Sequence, residues 1–139
     1  MPNIERGNTV TNTILFLCPH HAAKSVIAQA YFNRLAQQKN LSFVADSAGT
    51  EPDPVVSPVV ADMLLAQGID VRNHQPRRVT AIELDQAARV ISIGCPLVDL
   101  EIAPERVESW DDVPMVSQDL PGSSAAILRH IEVLVKELA

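Results

Sequence analysis

The segment formed by residues 13–30 places an apolar strand, a cysteine, a short loop and an amphipathic helix in immediate succession. Residues 13–17 are continuously apolar after the first threonine, which is typical of a buried strand, and Val26 and Ile27 begin a helical repeat. A loop between a strand end and a helix N-terminus turns backbone N–H groups inward, and the helix adds about half a positive charge there. The segment therefore predicts an oxyanion site beside Cys18.

Cys18 is the candidate nucleophile of this segment. The helix end and the Lys24 ammonium both favour a thiolate, so we expect Cys18 to be ionised at neutral pH. The Ser25 hydroxyl is placed either to hydrogen-bond the sulfur or to cap the helix. A buried core cysteine is the alternative interpretation, because free cysteine is among the most buried residue types. The predicted oxyanion-binding loop comprises Pro19, His20, His21, Ala22, Ala23, Lys24 and Ser25.

Apolar periodicity in the rest of the chain predicts alternating strands and helices. Further strands are expected at residues 41–45, 90–93 and 106–110. Helices are expected from Pro58 to a stop at Gly68, over residues 80–88 with a capping box, and over residues 123–138. This alternation predicts a parallel sheet covered on both faces, with the ligand site at the carboxyl ends of the strands. Cys18 and Cys95 both lie at such ends.

The composition favours one domain at residues 13–139, preceded by a loose tail at residues 1–12. Although 47% of the residues are hydrophobic, no apolar run approaches the roughly 18 residues that span a bilayer. The tail lacks the apolar core of a signal peptide, so the two cysteines are expected to be reduced thiols in the cytoplasm. The net charge of −6 makes nucleic acid or an anionic membrane an improbable partner.

The spacing of Cys18, Lys24 and Ser25 resembles the C-x5-R-S phosphate loop of the low-molecular-weight protein tyrosine phosphatases and of the arsenate reductases that share their fold. The order Cys-Pro-His-His-Ala-Ala-Lys-Ser is more similar to the Cys-x-His-Asn-Ala-Gly-Arg-Ser loop of thiol-linked arsenate reductases. Other segments that resemble the family follow in register at residues 46–50, 68–71, 73–77, 90–95 and 110–111. The resemblance implies a three-layer α/β/α fold with a four-stranded parallel sheet.

The loop departs from the family pattern at several positions. Lys24 replaces an arginine, which keeps the positive charge but loses the bidentate contact to an oxyanion. His21 and Ala23 replace asparagine and glycine, and Ala resists positive φ, so we expect a loop that is strained or differently shaped. Protonated His20 and His21 would raise anion affinity, and an ordinary surface histidine pair is the equal alternative.

A phosphatase of this family also needs a general acid, which the resemblance implies to be an aspartate beside a proline on a late loop. Aligned on Val113 and Pro114, that position holds Met115, which has no proton to give. Asp111 and Asp112 are the candidate catalytic substitutes, and two solvated loop carboxylates are the alternative interpretation.

An arsenate reductase needs a second thiol, which expels arsenite and leaves a disulfide. Cys95 matches the position of the family's first resolving cysteine, and a buried core thiol is the alternative interpretation. No cysteine follows it in residues 96–104, so a relay of three protein thiols is excluded. Two routes stay open: a Cys18–Cys95 disulfide reduced from outside by a partner such as thioredoxin or glutaredoxin, or attack on the adduct by a small cytosolic thiol.

The sequence thus predicts a thiol-dependent arsenate reductase or a close paralogue, with arsenate or phosphate as its ligand and no metal or other cofactor. A low-molecular-weight protein tyrosine phosphatase acting on a phosphoprotein is the alternative. The aromatic content of 4%, with Tyr31 as the single tyrosine, mildly disfavours a wall for a phosphotyrosine ring. A non-catalytic paralogue that binds phosphate or arsenate is the third interpretation.

Overall fold

The computed structural model describes residues 11–20, 22–96, 100 and 102–139. Strands and helices alternate along this part of the chain in the order β1 (Thr13–Leu17), α1 (Lys24–Gln38), β2 (Val44–Ala48), α2 (Pro58–Ala66), α3 (Ala81–Gln86), β3 (Arg89–Ser92), β4 (Val107–Ser109) and α4 (Leu120–Leu138). Most of the predicted N-terminal tail, together with His21 of the predicted loop, lies outside the described residues.

The four strands form one parallel sheet in the order β2-β1-β3-β4. Leu17, the last residue of β1, pairs with Ala48 of β2 and with Ser92 of β3. The carboxyl ends of the three strands therefore lie side by side at one edge of the sheet. This parallel sheet with flanking helices confirms the predicted fold.

Strand β1 is buried on both faces of the sheet. Ile14 and Phe16 belong to the larger apolar cluster, which is formed with residues of α1, α2 and α4. Leu15 and Leu17 belong to a smaller cluster on the opposite face, which includes Leu84 of α3. Because side chains alternate between faces along a strand, only a continuously apolar sequence satisfies both clusters.

Strand β2 differs from its prediction, since it covers Val44–Ala48 rather than residues 41–45. Its register with β1 carries the strand through two polar residues, Asp46 and Ser47. Asp46 accepts a hydrogen bond from the Arg77 guanidinium at 2.9 Å, and the buried Ser47 hydroxyl bonds the Gln29 side chain. The polar Asp46 and Ser47 are typical of a loop, but partners distant in sequence satisfy their hydrogen-bonding groups within the strand.

The helix boundaries follow their local signals closely. Pro58 occupies the first turn of α2, and Gly68 has a φ of +87° just beyond the helix. Helix α3 has the predicted capping box, in which Thr80 and Glu83 each bond the other's backbone N–H. Helix α4 begins at Leu120, earlier than predicted, because the Asp119 carboxylate caps it by accepting from the Gly122 N–H at 2.9 Å.

Within the described ranges, no helix combines the length and the apolar character that crossing a bilayer requires.

Candidate active site

Cys18 lies directly after β1, at the carboxyl edge of the sheet. Its N–H donates to the Ala48 carbonyl at 3.4 Å, which holds the cysteine against the end of β2. The residue is only 3% exposed, yet it belongs to neither apolar cluster. Instead it begins the loop that leads into α1.

The carbonyl groups of this loop are tied to the segment that follows β2. Three of these carbonyl groups accept hydrogen bonds. The Pro19 carbonyl accepts from the Glu51 N–H at 2.7 Å, and the His20 carbonyl accepts from the Asp53 N–H at 2.9 Å. The Ala22 carbonyl accepts from the Ser57 N–H at 2.8 Å. Among the described residues, no hydrogen-bond acceptor is found for the N–H groups of Ala22, Ala23 and Lys24. A loop whose carbonyls are taken up on one side leaves its N–H groups for an oxyanion on the other.

The sulfur of Cys18 makes two hydrogen-bond contacts with one residue, Ser25. The Ser25 hydroxyl lies 2.9 Å from Sγ, and the Ser25 backbone N–H donates to Sγ at 3.4 Å. Ser25 is completely buried, so water does not compete for either contact. No side chain caps α1, where Ala23 occupies the N-cap position. Of the two predicted roles for Ser25, the structure therefore selects the contact with sulfur, which stabilises negative charge there.

Lys24 reaches across the edge of the sheet to the end of β3. A side-chain carbon on Gly94 would lie 3.4 Å from Lys24 Nζ. Gly94 also has a φ of +79°, a conformation that favours glycine. The glycine thus lies next to the Lys24 ammonium and supplies a turn that most residues resist.

A cleft of about 690 Å³ opens over Cys18. The residues that line it are Cys18, Pro19, His20, Ala22, Ala23, Lys24, Asp53, Ser57, Val59, Gly94, Met115, Val116 and Ser117. None of these described lining residues is Phe, Tyr or Trp. In the described ranges, no cluster of three or more His, Cys, Asp or Glu side chains is suited to hold a metal ion.

The cleft includes residues that sequence reasoning did not select as site residues. Asp53 and Ser57 follow β2, and Val116 and Ser117 precede α4. The available signal was topological, because loops after neighbouring parallel strands meet at the same edge of a sheet. That signal indicates which loops meet, but not which side chain of a loop enters the cleft.

His20 is held by two groups of the segment after β2. Its Nδ1 lies 3.1 Å from the Glu51 carbonyl oxygen and 3.4 Å from Asp53 Oδ1. The imidazole is 60% exposed and the Asp53 side chain is 49% exposed.

Ala22 and Ala23 avoid left-handed backbone conformations, since Asn40 is the one non-glycine residue with positive φ in the described ranges. At these two alanines the loop therefore carries no strain from a positive φ.

Asp111 and Asp112 are not brought into the cleft with Cys18. Asp112 Oδ1 lies 2.7 Å from His130 Nε2 on α4, and this hydrogen bond holds the pKa of the Asp112 carboxyl below its usual range. His130 in turn stacks on Trp110, with ring centroids 4.4 Å apart. The late loop presents Met115 to the cleft instead, at the position where the family resemblance placed the general acid.

Cys95 lies behind the cleft wall, next to Gly94. It is 6% exposed and packs in the smaller apolar cluster. Its thiol faces the Thr50 hydroxyl at 3.8 Å. The Ser92 hydroxyl accepts from the Cys95 N–H at 3.1 Å and donates to the Cys95 carbonyl at 2.9 Å. Cys18 and Cys95 are both reduced cysteines in this structure.

The segments at residues 46–50 and 73–77, which resemble the family, contact each other at the end of β2. Gly49 donates to the Arg77 carbonyl at 3.0 Å and accepts from the Val79 N–H at 2.9 Å. Arg77 bonds Asp46 at 2.9 Å and also pairs with Glu83 of α3. These contacts fix the end of β2, from which Glu51 and Asp53 reach the oxyanion loop.

Relatives of this chain include both arsenate reductases and phosphatases. A candidate arsenate reductase of Halobacterium salinarum is 26% identical over 97 residues, which cover 68% of each chain. The arsenate reductase structure from Archaeoglobus fulgidus is 29% identical, with a TM-score of 0.67 over 90% of this chain and 97% of that one. The thioredoxin-dependent arsenate reductase of Corynebacterium glutamicum is 25% identical, with a TM-score of 0.78 over 94% of this chain, which spans 62% of that protein.

A phosphatase structure has the same fold at lower identity. The low molecular weight protein tyrosine phosphatase from T. tengcongensis has a TM-score of 0.76 at 18% identity, over 91% of this chain and 99% of that one. The family described as Low molecular weight phosphotyrosine protein phosphatase matches residues 13–100, more than half of the chain. The matched segment contains Cys18 with its loop, and also Cys95. This chain belongs to the low molecular weight phosphotyrosine protein phosphatase family.

Proposed function

We propose that this protein is a thiol-dependent arsenate reductase with Cys18 as its nucleophile. The observation that carries the proposal is the contact of the Ser25 hydroxyl and N–H with Cys18 Sγ, beside a loop whose Ala22, Ala23 and Lys24 N–H groups have no acceptor among the described residues. The Lys24 ammonium adds positive charge at the same cleft. A buried sulfur with these neighbours is suited to attack a bound oxyanion.

The first step transfers no electrons. The Cys18 thiolate attacks the arsenic of HAsO4²⁻, an As–O bond breaks, and the departing hydroxide takes one proton to leave as water. The product is a Cys18–S–AsO3²⁻ adduct. In the second step a thiolate attacks Sγ, the S–As bond breaks with its electron pair going to arsenic, and arsenite leaves behind a disulfide. The two electrons that reduce As(V) to As(III) thus come from the two sulfurs.

The second thiolate comes either from Cys95 or from an external thiol. Cys95 is adjacent to Gly94 of the cleft wall and packs in the smaller apolar cluster. A disulfide needs Cα atoms within about 7 Å. Thioredoxin, glutaredoxin or a small thiol would otherwise attack the adduct from the open side of the cleft. Each of these reductants is a component of a reducing compartment, so we place the reaction in the cytoplasm.

The route is tested by mild oxidation followed by peptide mapping. A Cys18–Cys95 crosslink formed within one molecule would support the internal resolving role. Exclusively intermolecular disulfides, or mixed disulfides of Cys18 with the added thiol, would overturn that role and assign the second step to an external thiol. The Cys95→Ser variant is the matched control for the mapped peptides.

Tyrosine phosphatase activity is the second candidate function, because the same loop binds phosphate and the family includes such enzymes. One feature of the cleft weighs against it, because the described lining residues provide no Phe, Tyr or Trp wall for a phosphotyrosine ring.

A side-by-side assay separates these functions. Arsenite formation is measured with the thioredoxin system and with small thiols, and hydrolysis of an aryl phosphate is measured under the same conditions. We expect arsenite formation that depends on Cys18 and on the thiol. Hydrolysis of the phosphate without arsenite formation would replace the proposal with a phosphatase, and anion binding without either turnover would indicate a non-catalytic binder.

A further inference from the structure

Both candidate reactions need a proton donor at the cleft, and the late loop does not supply one. Hydroxide and alkoxide are poor leaving groups unless a proton reaches the departing oxygen. The late-loop residues that line the cleft are Met115, Val116 and Ser117, none of which is acidic. Asp112 is engaged with His130 instead. The titratable groups that line the cleft, within the described residues, are Cys18, His20, Lys24 and Asp53.

We infer that His20 is the proton donor of this cleft and that Asp53 positions it. The inference rests on the proposed function, since it assigns a role in the first step of that reaction. His20 lies two residues after Cys18 in the same loop, and both line the cleft. Asp53 lines it as well, which brings the imidazole and its carboxylate partner together at the site.

The contacts of His20 determine which ring nitrogen holds a proton. A carbonyl oxygen accepts hydrogen bonds only, so His20 Nδ1, at 3.1 Å from the Glu51 carbonyl, must be the N–H donor. Any second proton therefore resides on Nε2, the nitrogen for which the described residues offer no hydrogen-bond partner. The Asp53 carboxylate lies 3.4 Å from Nδ1, so it contacts the same ring nitrogen as the Glu51 carbonyl and helps to orient the imidazole.

Backbone hydrogen bonds also hold the His20 and Asp53 segments together. The Asp53 N–H donates to the His20 carbonyl at 2.9 Å, and the Glu51 N–H donates to Pro19 at 2.7 Å. His20 is therefore fixed through its main chain as well as its side chain. Its exposure of 60% lets it regain a proton from bulk water after each turnover.

The proton transfer completes the balance of the first step. As the thiolate attacks arsenic and the As–O bond breaks, the imidazolium Nε2–H gives its proton to the departing oxygen, so that water leaves and the imidazole is neutral. With a phosphate ester, the same transfer would release an alcohol or phenol. Arsenic and phosphorus keep their oxidation states in this step, so no reductant is involved in it.

The test is the pH dependence of single-turnover adduct formation in three variants. His20→Asn retains an N–H donor near the Nδ1 position for Glu51 but has no second ionisable nitrogen. We expect it to lower the rate by roughly a hundredfold and to remove the fall in rate at high pH, because general acids contribute about 10² to 10⁴. Asp53→Asn should keep that fall and lower the rate by roughly two- to fivefold.

The third variant, Asp62→Asn, is the control, because it changes an exposed carboxylate on α2 and should leave the profile unchanged. A His20→Asn enzyme with the wild-type rate and pH profile would overturn the inference while leaving the reductase proposal intact. Hydrolysis of aryl phosphates that depends on His20, without arsenate reduction, would overturn the reductase proposal and support the proton donor. Absence of both turnovers in the wild type would overturn both.

Discussion

The two cysteines of this chain have similar positions and different surroundings. Each follows a strand of the same parallel sheet, at the same edge, and both are nearly buried, with exposures of 3% for Cys18 and 6% for Cys95. Each also has a buried serine neighbour. Ser25 directs its hydroxyl and N–H to the Cys18 sulfur, whereas Ser92 bonds the backbone of Cys95.

The difference teaches that burial and strand position do not decide the chemistry of a cysteine. Cys18 is followed by a loop and a helix N-terminus, where donors and positive potential stabilise negative charge. Cys95 is followed by a turn and packs with Leu84 and Leu100 in an apolar cluster, where a charged sulfur would be costly. The Cys18 sulfur is therefore placed to react, and the Cys95 sulfur is placed to pack.

Replacing each cysteine in turn should give the largest difference between the two sites. Cys18→Ser should abolish adduct formation, a loss of roughly 10⁴-fold or more, because the hydroxyl is a far weaker nucleophile. Cys95→Ser should leave single-turnover adduct formation intact, as measured with radioactive arsenate or by mass spectrometry. Equal losses in the two variants would show that the comparison is wrong and that Cys95 takes part in the first step.

The charge beside Cys18 is the next largest test. Lys24→Arg should raise turnover about ten- to a hundredfold, since one added charge-assisted hydrogen bond to the transition state is worth roughly 1.5 to 3 kcal/mol. Lys24→Met should abolish anion binding, measured by calorimetry with phosphate. The exposed Lys39, beyond the end of α1, provides the matched control in Lys39→Met.

The substrate on which Lys24→Arg gains activity is informative. A gain on arsenate alone supports the reductase, and a gain on an aryl phosphate supports the phosphatase. A loss on both would show that the larger guanidinium does not fit beside Gly94, the residue next to the Lys24 ammonium.

Alkylation measures the contrast directly in the wild-type protein. Iodoacetamide below pH 7 should label Cys18 roughly tenfold or more faster than Cys95, because the thiolate is the reactive form. Phosphate or sulfate should slow the labelling of Cys18 alone, since the anion occupies the loop above its sulfur. Equal labelling of both cysteines, insensitive to anions, would contradict the assignment of Cys18 as an activated nucleophile.

The two serines give the smallest and most discriminating test. Ser25→Ala should slow Cys18 alkylation by roughly five- to tenfold, since one hydrogen bond to the sulfur is lost. Ser92→Ala should leave alkylation unchanged and lower the free energy of unfolding by roughly 1 to 3 kcal/mol, because it deprives the buried Cys95 backbone of its partner. Denaturant unfolding of both variants checks this division, and the reverse pattern would remove the distinction between the serines.

Local sequence was sufficient where short-range interactions determine structure. Apolar periodicity predicted β1 over Thr13–Leu17 and a helix through Val26 and Ile27, which is α1, and capping chemistry predicted α3. It was insufficient for β2, because the polar Asp46 and Ser47 are satisfied by Arg77 and by Gln29, which are far from them in sequence. A pattern based on neighbouring residues does not register such partners.

In the candidate site, too, the residues close together in sequence were predicted and the distant ones were not. The loop from Cys18 to Ser25 is continuous in sequence, so its spacing alone predicted a nucleophile, a cation and a set of N–H groups. The segments after β2 and before α4, which complete the cleft, were outside the reach of spacing. Asp112 illustrates the limit, since the sequence offers it as an acid for the cleft and only the packing of α4 places His130 beside it.

By itself, then, the sequence determined the family, the α/β order of elements and the chemistry of the loop around Cys18, because each of these depends on residues close together in the chain. The tertiary structure alone decided that Asp53 rather than Asp112 enters the cleft, that Ser25 bonds the sulfur, and that Cys95 packs behind Gly94. The physical reason is that a parallel sheet aligns loops from distant parts of the chain. Which of their side chains meet depends on packing across the whole domain.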